Sequence, residues 1–98
     1  MPRELPRPTE SELAILRILW RLGPSTVRHV VDASPPGTGY TTILKLLQIM
    51  TEKGLVTRDD SDRTHVFSPA QPQELTQRQL LDDLLDRAFG GSSQKLVL

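Results

Sequence analysis

GYTTILKLLQIMTEKGLV, residues 39 to 56, contains a helix with its own start and its own stop. Gly39 stands where an N-cap belongs. Gly54 stands just past the last helical turn, where glycine tolerates the left-handed conformation that ends a helix. Between them Tyr40, Ile43, Leu47 and Met50 recur at helical spacing with Leu46 beside them, so one broad face is committed to a core. The opposite face opens on Thr41 and Thr42 and continues with Lys45 and Gln48. Short polar side chains first and longer ones later suit a helix whose first turns come close to a polar surface.

Upstream, Thr9 and Glu12 form a capping box ahead of Leu13, Ile15, Leu16, Ile18, Leu19, Trp20 and Leu22, which predicts a first helix from about Glu10. Gly23-Pro24 stops it. Ser25 or Thr26 can cap a short second helix whose Val27, Val30 and Val31 point inward, and Pro35-Pro36-Gly37 breaks the chain before the third helix. Downstream, LVTRDD and RTHVFS have strand character and flank the turn DDSD, a hairpin too small to stand alone. Pro69 and Pro72 close it, and a last helix runs from about Gln73 to Phe89.

Three helices followed by a two-stranded hairpin make a mainly α winged helix-turn-helix, with the fourth helix appended at the C-terminus. In that arrangement the third helix enters the major groove of DNA with its N-terminal residues against base edges, and the hairpin is the wing. Threonine hydroxyls can bond phosphate or base, their methyls can touch the thymine methyl, and Lys45 and Gln48 can reach guanine or adenine. The division expected is a winged-helix DNA-binding domain over residues 1–70 and a helical dimerisation region over residues 71–98. The paired apolar residues Leu80, Leu81, Leu84, Leu85, Ala88 and Phe89 are more than one intramolecular stripe needs, and Leu96 in the closing KLVL adds to them, so a second copy of the chain is the expected partner.

The sequence is identified by these same residues as resembling the penicillinase repressor family (BlaI/MecI type) of bacterial winged-helix regulators. TESELAILRILWRLGPSTVRHVV is similar to the family's opening helix, Gly-Pro turn and valine-rich second helix, GYTTILKLLQIMTEKGLV to its recognition helix, and DRTHVFSP to the return strand of its wing. The resemblance implies a homodimer that binds a palindromic operator in double-stranded DNA and blocks transcription, often released when a sensor protease cleaves it. It places Thr41, Thr42 and Lys45 on DNA-facing positions and Arg63 on the wing. Ile49 occupies a place where many relatives carry arginine, and relatives continue beyond Leu98 with helices that complete the dimer, which leaves a truncated piece, a cleaved product and a natural short form as alternatives for the dimerisation region here.

Composition sets limits on other functions. The 98 residues hold twelve basic and twelve acidic side chains, a zero net charge that is unusual for a nucleic-acid-binding domain and fits the alternative of a winged-helix protein-interaction module. With no cysteine there is no disulfide, thiolate metal site or thiol nucleophile. The charged, proline-bearing N-terminus and the lack of an apolar run of about 20 residues point to a cytoplasmic protein that does not enter a membrane. His29 and His65 lack companions at metal-ligand spacing, and Asp59, Asp60 and Asp62 lack the glycine and closing glutamate of a calcium loop. GTGYTT lacks the lysine of a phosphate loop, and no G-x-S-x-G occurs, so no cofactor and no enzyme activity are expected. Trp20 reads as core. Arg28 on the second helix is a phosphate contact or a solvated cation, and Arg58 and Arg63 either pair with the acidic turn or meet phosphate.

Overall fold

A computed structural model describes residues 6–89 of the chain. The elements follow one another as α1 (Glu10–Leu22), α2 (Val27–Ala33), α3 (Tyr40–Lys53), β1 (Val56–Asp59), β2 (Val66–Pro69) and α4 (Gln73–Ala88). This is the winged-helix order expected from the sequence. Leu96 and the rest of the closing segment lie outside the described residues.

The helix ends form where local chemistry places them. Thr9 caps α1 through a complete capping box: the Glu12 N–H donates to Thr9 Oγ1 at 3.3 Å, and the Thr9 N–H donates to Glu12 Oε1 at 2.8 Å. Thr26, not Ser25, caps α2, and His29 closes a second box by accepting the Thr26 N–H at Nδ1 over 3.2 Å. The Ser25 hydroxyl instead donates to the Gly23 carbonyl at 2.8 Å. Gly54 ends α3 in the left-handed region at φ 82° and ψ 16°, and its N–H and that of Leu55 both reach back to the Met50 carbonyl.

Three helices and the hairpin close over one core. Ile15, Leu16 and Leu19 from α1, Val27 and Val30 from α2, and Ile43, Leu47 and Met50 from α3 meet Leu55, Val56 and Phe67 from the hairpin region. Trp20 is half-buried against this cluster, and its indole N–H has no acceptor among the described residues. Two residues of the apolar repeats are exposed instead. Leu22 is 49% exposed because it closes the last turn of α1, beyond the reach of the stripe formed by Leu16 and Leu19. Tyr40 is 46% exposed because the first turn of α3 projects past the core, where Ile43 is the first residue to be covered.

The wing pairs antiparallel with Val56 opposite Pro69 and Asp59 opposite Val66. Its return strand starts at Val66, later than the sequence suggests. The turn keeps residues 60–65 out of the ladder, and the Asp59 carboxylate accepts the Ser61 N–H at 2.9 Å. That backbone bond, and then the Ser61 hydroxyl, hold the Asp59 carboxyl below its ordinary value. On its other edge β2 pairs with the α1–α2 connection: the Ser25 N–H donates to the Phe67 carbonyl at 3.0 Å and the Phe67 N–H donates to that of Ser25 at 2.8 Å. A hairpin too small to be stable alone is thus held along both sides of one strand and by the burial of Phe67.

One charged group lies inside this frame. Glu12 is 2% exposed, and Lys53 Nζ at the end of α3 meets its Oε1 at 2.6 Å while also donating to the Arg7 carbonyl at 3.2 Å. Burial pushes the Glu12 carboxyl up, but the bond from Lys53 and the capping bonds from Thr9 outweigh it, leaving the group below its ordinary value of 4.5. A lowered folded-state value stabilises the fold above the unfolded value, and this contribution is lost as pH falls through the folded one. Glu12→Gln is expected to lower stability by about 1–3 kcal/mol in urea unfolding at neutral pH, since Lys53 can turn partly to water. Its stability should also fall less steeply than that of the wild type below about pH 4.5; parallel acid limbs would show that the pair is energetically silent.

Candidate nucleic-acid interface

The core phases α3 so that its polar residues face out. Burial of Ile43, Leu47 and Met50 turns Thr41, Lys45 and Gln48 to the opposite side at 100° per residue, and all three are exposed. Thr42 is exposed too, but on the flank of the helix nearer α1. It borders a shallow groove with Ser11, Ile18 and Thr38 and does not join the central stripe. Gly39 supplies no side-chain hydrogen bond to the first turn, so the N–H groups there keep their capacity for an external acceptor.

Beside this face, α2, the start of α3 and the wing enclose a half-open cleft of about 380 Å³. Arg28, Arg58, Arg63, Tyr40, Gln48 and His65 line it, with Phe67 at its base. The Arg28 guanidinium carbon lies 5.4 Å from the centroid of the Tyr40 ring, a cation–π contact that orders a long side chain while leaving its N–H groups available. Asp60 in the turn accepts from Arg58 Nε at 2.9 Å and from His65 Nδ1 at 3.2 Å. Arg58 and Asp60 are 40% and 50% exposed, so their pair is worth under about 1 kcal/mol and exchanges easily for another anion.

Of the residues singled out in the sequence, Arg28, Gln48 and Arg63 are brought to one cleft, Thr41 and Lys45 stand on the ridge between that cleft and Thr42, and Arg58 joins from the wing. Tyr40 was missed, because its place in the apolar repeat of α3 reads as core. The available sign was its position as the first residue after Gly39, where a helix leaves its core. On α4, Leu81 and Leu84 are 55% and 54% exposed and Ala88 is exposed, whereas Leu80, Leu85 and Phe89 are half-buried. Leu80 lies near Arg7 and Pro8, and Arg7 Nε meets Asp83 at 3.1 Å.

The model of the penicillinase repressor family matches residues 8–98, spanning every described element from α1 to α4. The chain belongs to the penicillinase repressor family. Two curated relatives, both the transcriptional regulator BlaI of Mycobacterium tuberculosis, from strains CDC 1551 and H37Rv, are 32% identical over alignments that cover 97% of this chain and 71% of theirs. Among solved structures, the solution structure of apo-NmtR superimposes with a TM-score of 0.56 at 29% identity, over 82% of this chain and 62% of that one. This chain therefore spans less than two thirds of that neighbour's length. Members of the penicillinase repressor family are transcriptional regulators, not enzymes. No helix among the described residues is long and apolar enough to cross a membrane, and no group of three or more His, Asp or Glu among them could hold a metal ion.

Phe67 ties the wing to the rest of this regulator, and its burial outweighs the charge pairs at the tip. Phe67→Ala is expected to cost about 3–5 kcal/mol in thermal unfolding, against less than about 1 kcal/mol for Arg58→Ala. Equal losses would mean that the turn, not the aromatic anchor, positions the wing.

Proposed function

We propose that the chain is a sequence-specific DNA-binding repressor that acts as a cytoplasmic homodimer on a palindromic operator. The observation that supports this most is the joining of an exposed polar ridge on α3 to a cleft that gathers Arg28, Arg58 and Arg63. In this reading Thr41, Thr42, Lys45 and Gln48 meet base edges and nearby phosphates, and Arg28 and Arg63 hold the backbone on either side. Residues 1–70 form the DNA-binding domain and residues 71–98 the dimerisation region. Leu81, Leu84 and Ala88 supply the exposed centre of the contact, with Leu80, Leu85 and Phe89 at its margin and Leu96 added from outside the described residues. Two copies of α3 then occupy major grooves about 34 Å apart or a multiple of that.

Bivalent binding makes release simple. Each protomer alone holds DNA weakly, and joining two can raise avidity by about 10²–10⁴. A signal that separates residues 71–98 from the winged helix, such as cleavage by a sensor protease, would remove that gain irreversibly.

Zero net charge favours a second reading, a winged-helix module that docks on a protein. Salt dependence separates the two. If Arg28, Lys45, Arg58 and Arg63 of both protomers neutralise phosphates, the slope of log affinity against log salt is about −7, a loss of about 10⁴-fold between 50 and 200 mM. In gel-shift titrations against the promoter of the neighbouring operon, Lys45→Ala should weaken binding by about 1–3 kcal/mol and Thr42→Ala by less. Unchanged affinity in both variants, with a flat salt profile, would favour the docking module. Leu81→Asp combined with Leu84→Asp should convert a dimer to a monomer in sedimentation and abolish tight binding to the full palindrome, while leaving the circular dichroism spectrum unchanged. A double variant that still sediments as a dimer would move the contact elsewhere.

A further inference from the structure

We infer that Ile49 is a specificity-determining residue that reads a thymine methyl group in the major groove. The inference rests on the proposed role of α3 as the recognition helix and extends it to a position that carries no hydrogen-bonding group. The apolar side of α3 is complete without Ile49: Ile43, Leu47 and Met50 are at most 4% exposed, whereas Ile49 is 37% exposed. A single exposed aliphatic side chain is ordinary on a protein surface. Its place is what carries information.

Lys45, Gln48, Ile49 and Glu52 fall at i, i+3, i+4 and i+7 on the outward half of α3, and all four are exposed. That is the spacing at which a homeodomain's recognition helix aligns its base-reading residues along the groove. Lysine, glutamine and glutamate can each bond a base edge through polar atoms. Isoleucine cannot. In the major groove its favourable partner is the 5-methyl of thymine, while the donors and acceptors of other base edges lose water against it without compensation. Lys53, the next residue along this flank, is held inward by Glu12 at 2.6 Å, so it places no competing cation beside Ile49.

The test begins with selection of preferred sites by the wild-type chain from a random duplex pool, repeated with Ile49→Ala and Ile49→Val. The wild type should require thymine at one position in each half-site. Ile49→Ala should lose that requirement alone, with the other positions retained, and Ile49→Val should keep part of it. Replacing the thymine by deoxyuridine removes only the methyl group. It should weaken wild-type binding about fourfold, the worth of one buried methyl, and leave Ile49→Ala unaffected. Equal responses of the two proteins to deoxyuridine, or no response from the wild type, would overturn the assignment. A wild type that selects no sequence and is indifferent to Lys45→Ala would instead overturn the recognition-helix reading, and this inference with it.

Discussion

The rotational phase of α3 governs what the rest of the molecule can present. Burial of Ile43, Leu47 and Met50 stabilises each by about 1.5–3 kcal/mol relative to exposure, far more than any surface contact on the opposite side returns. The helix therefore cannot turn to suit its outer residues. Once those three are inside, Thr41, Lys45 and Gln48 must face out and Thr42 must sit on the flank. Gly54 then reverses the chain in a left-handed turn and delivers Leu55 and Val56 back to the same core, which puts the wing beside the start of α3.

The charge balance of the whole chain conceals a local separation. Part of the acid is used structurally: Glu12 pairs with Lys53, Asp59 caps its own turn, and Asp83 meets Arg7 on α4, while Glu52 stays exposed on the outward half of α3. Three arginines are left around one cleft, with Asp60 as their close acidic neighbour through Arg58. Because that pair is exposed and weak, an incoming phosphate meets little competition. The pair of buried Glu12 with part-exposed Lys53 is of another kind. It joins the start of α1 to the end of α3, and leaving the Glu12 charge alone there is costly, whereas Lys53 can turn partly to water.

Most of the fold was legible in the sequence, and the errors have physical causes. The Thr9 box, the Gly23 and Gly54 stops and the apolar stripe of α3 were readable because each acts within a few residues. His29 was weighed only as a metal ligand, yet it completes the α2 cap through a spacing of three. Tyr40 and Leu22 follow the helical repeat but lie at helix ends, where periodicity continues after the core has stopped. The start of β2 was placed too early because Arg63, Thr64 and His65 have strand character but belong to the turn.

By itself the sequence determined the order of elements, their caps and the polar stripe of α3, because caps, glycine stops and 3.6-residue periodicity are local properties of the backbone and its nearest side chains. Only the tertiary structure decided that Ser25 pairs with Phe67, that Lys53 meets Glu12 across 41 positions, and that Arg28 stacks on Tyr40 in a cleft shared with the wing. Those contacts exist because a common core brings distant segments together, and no spacing along the chain encodes which segments will meet.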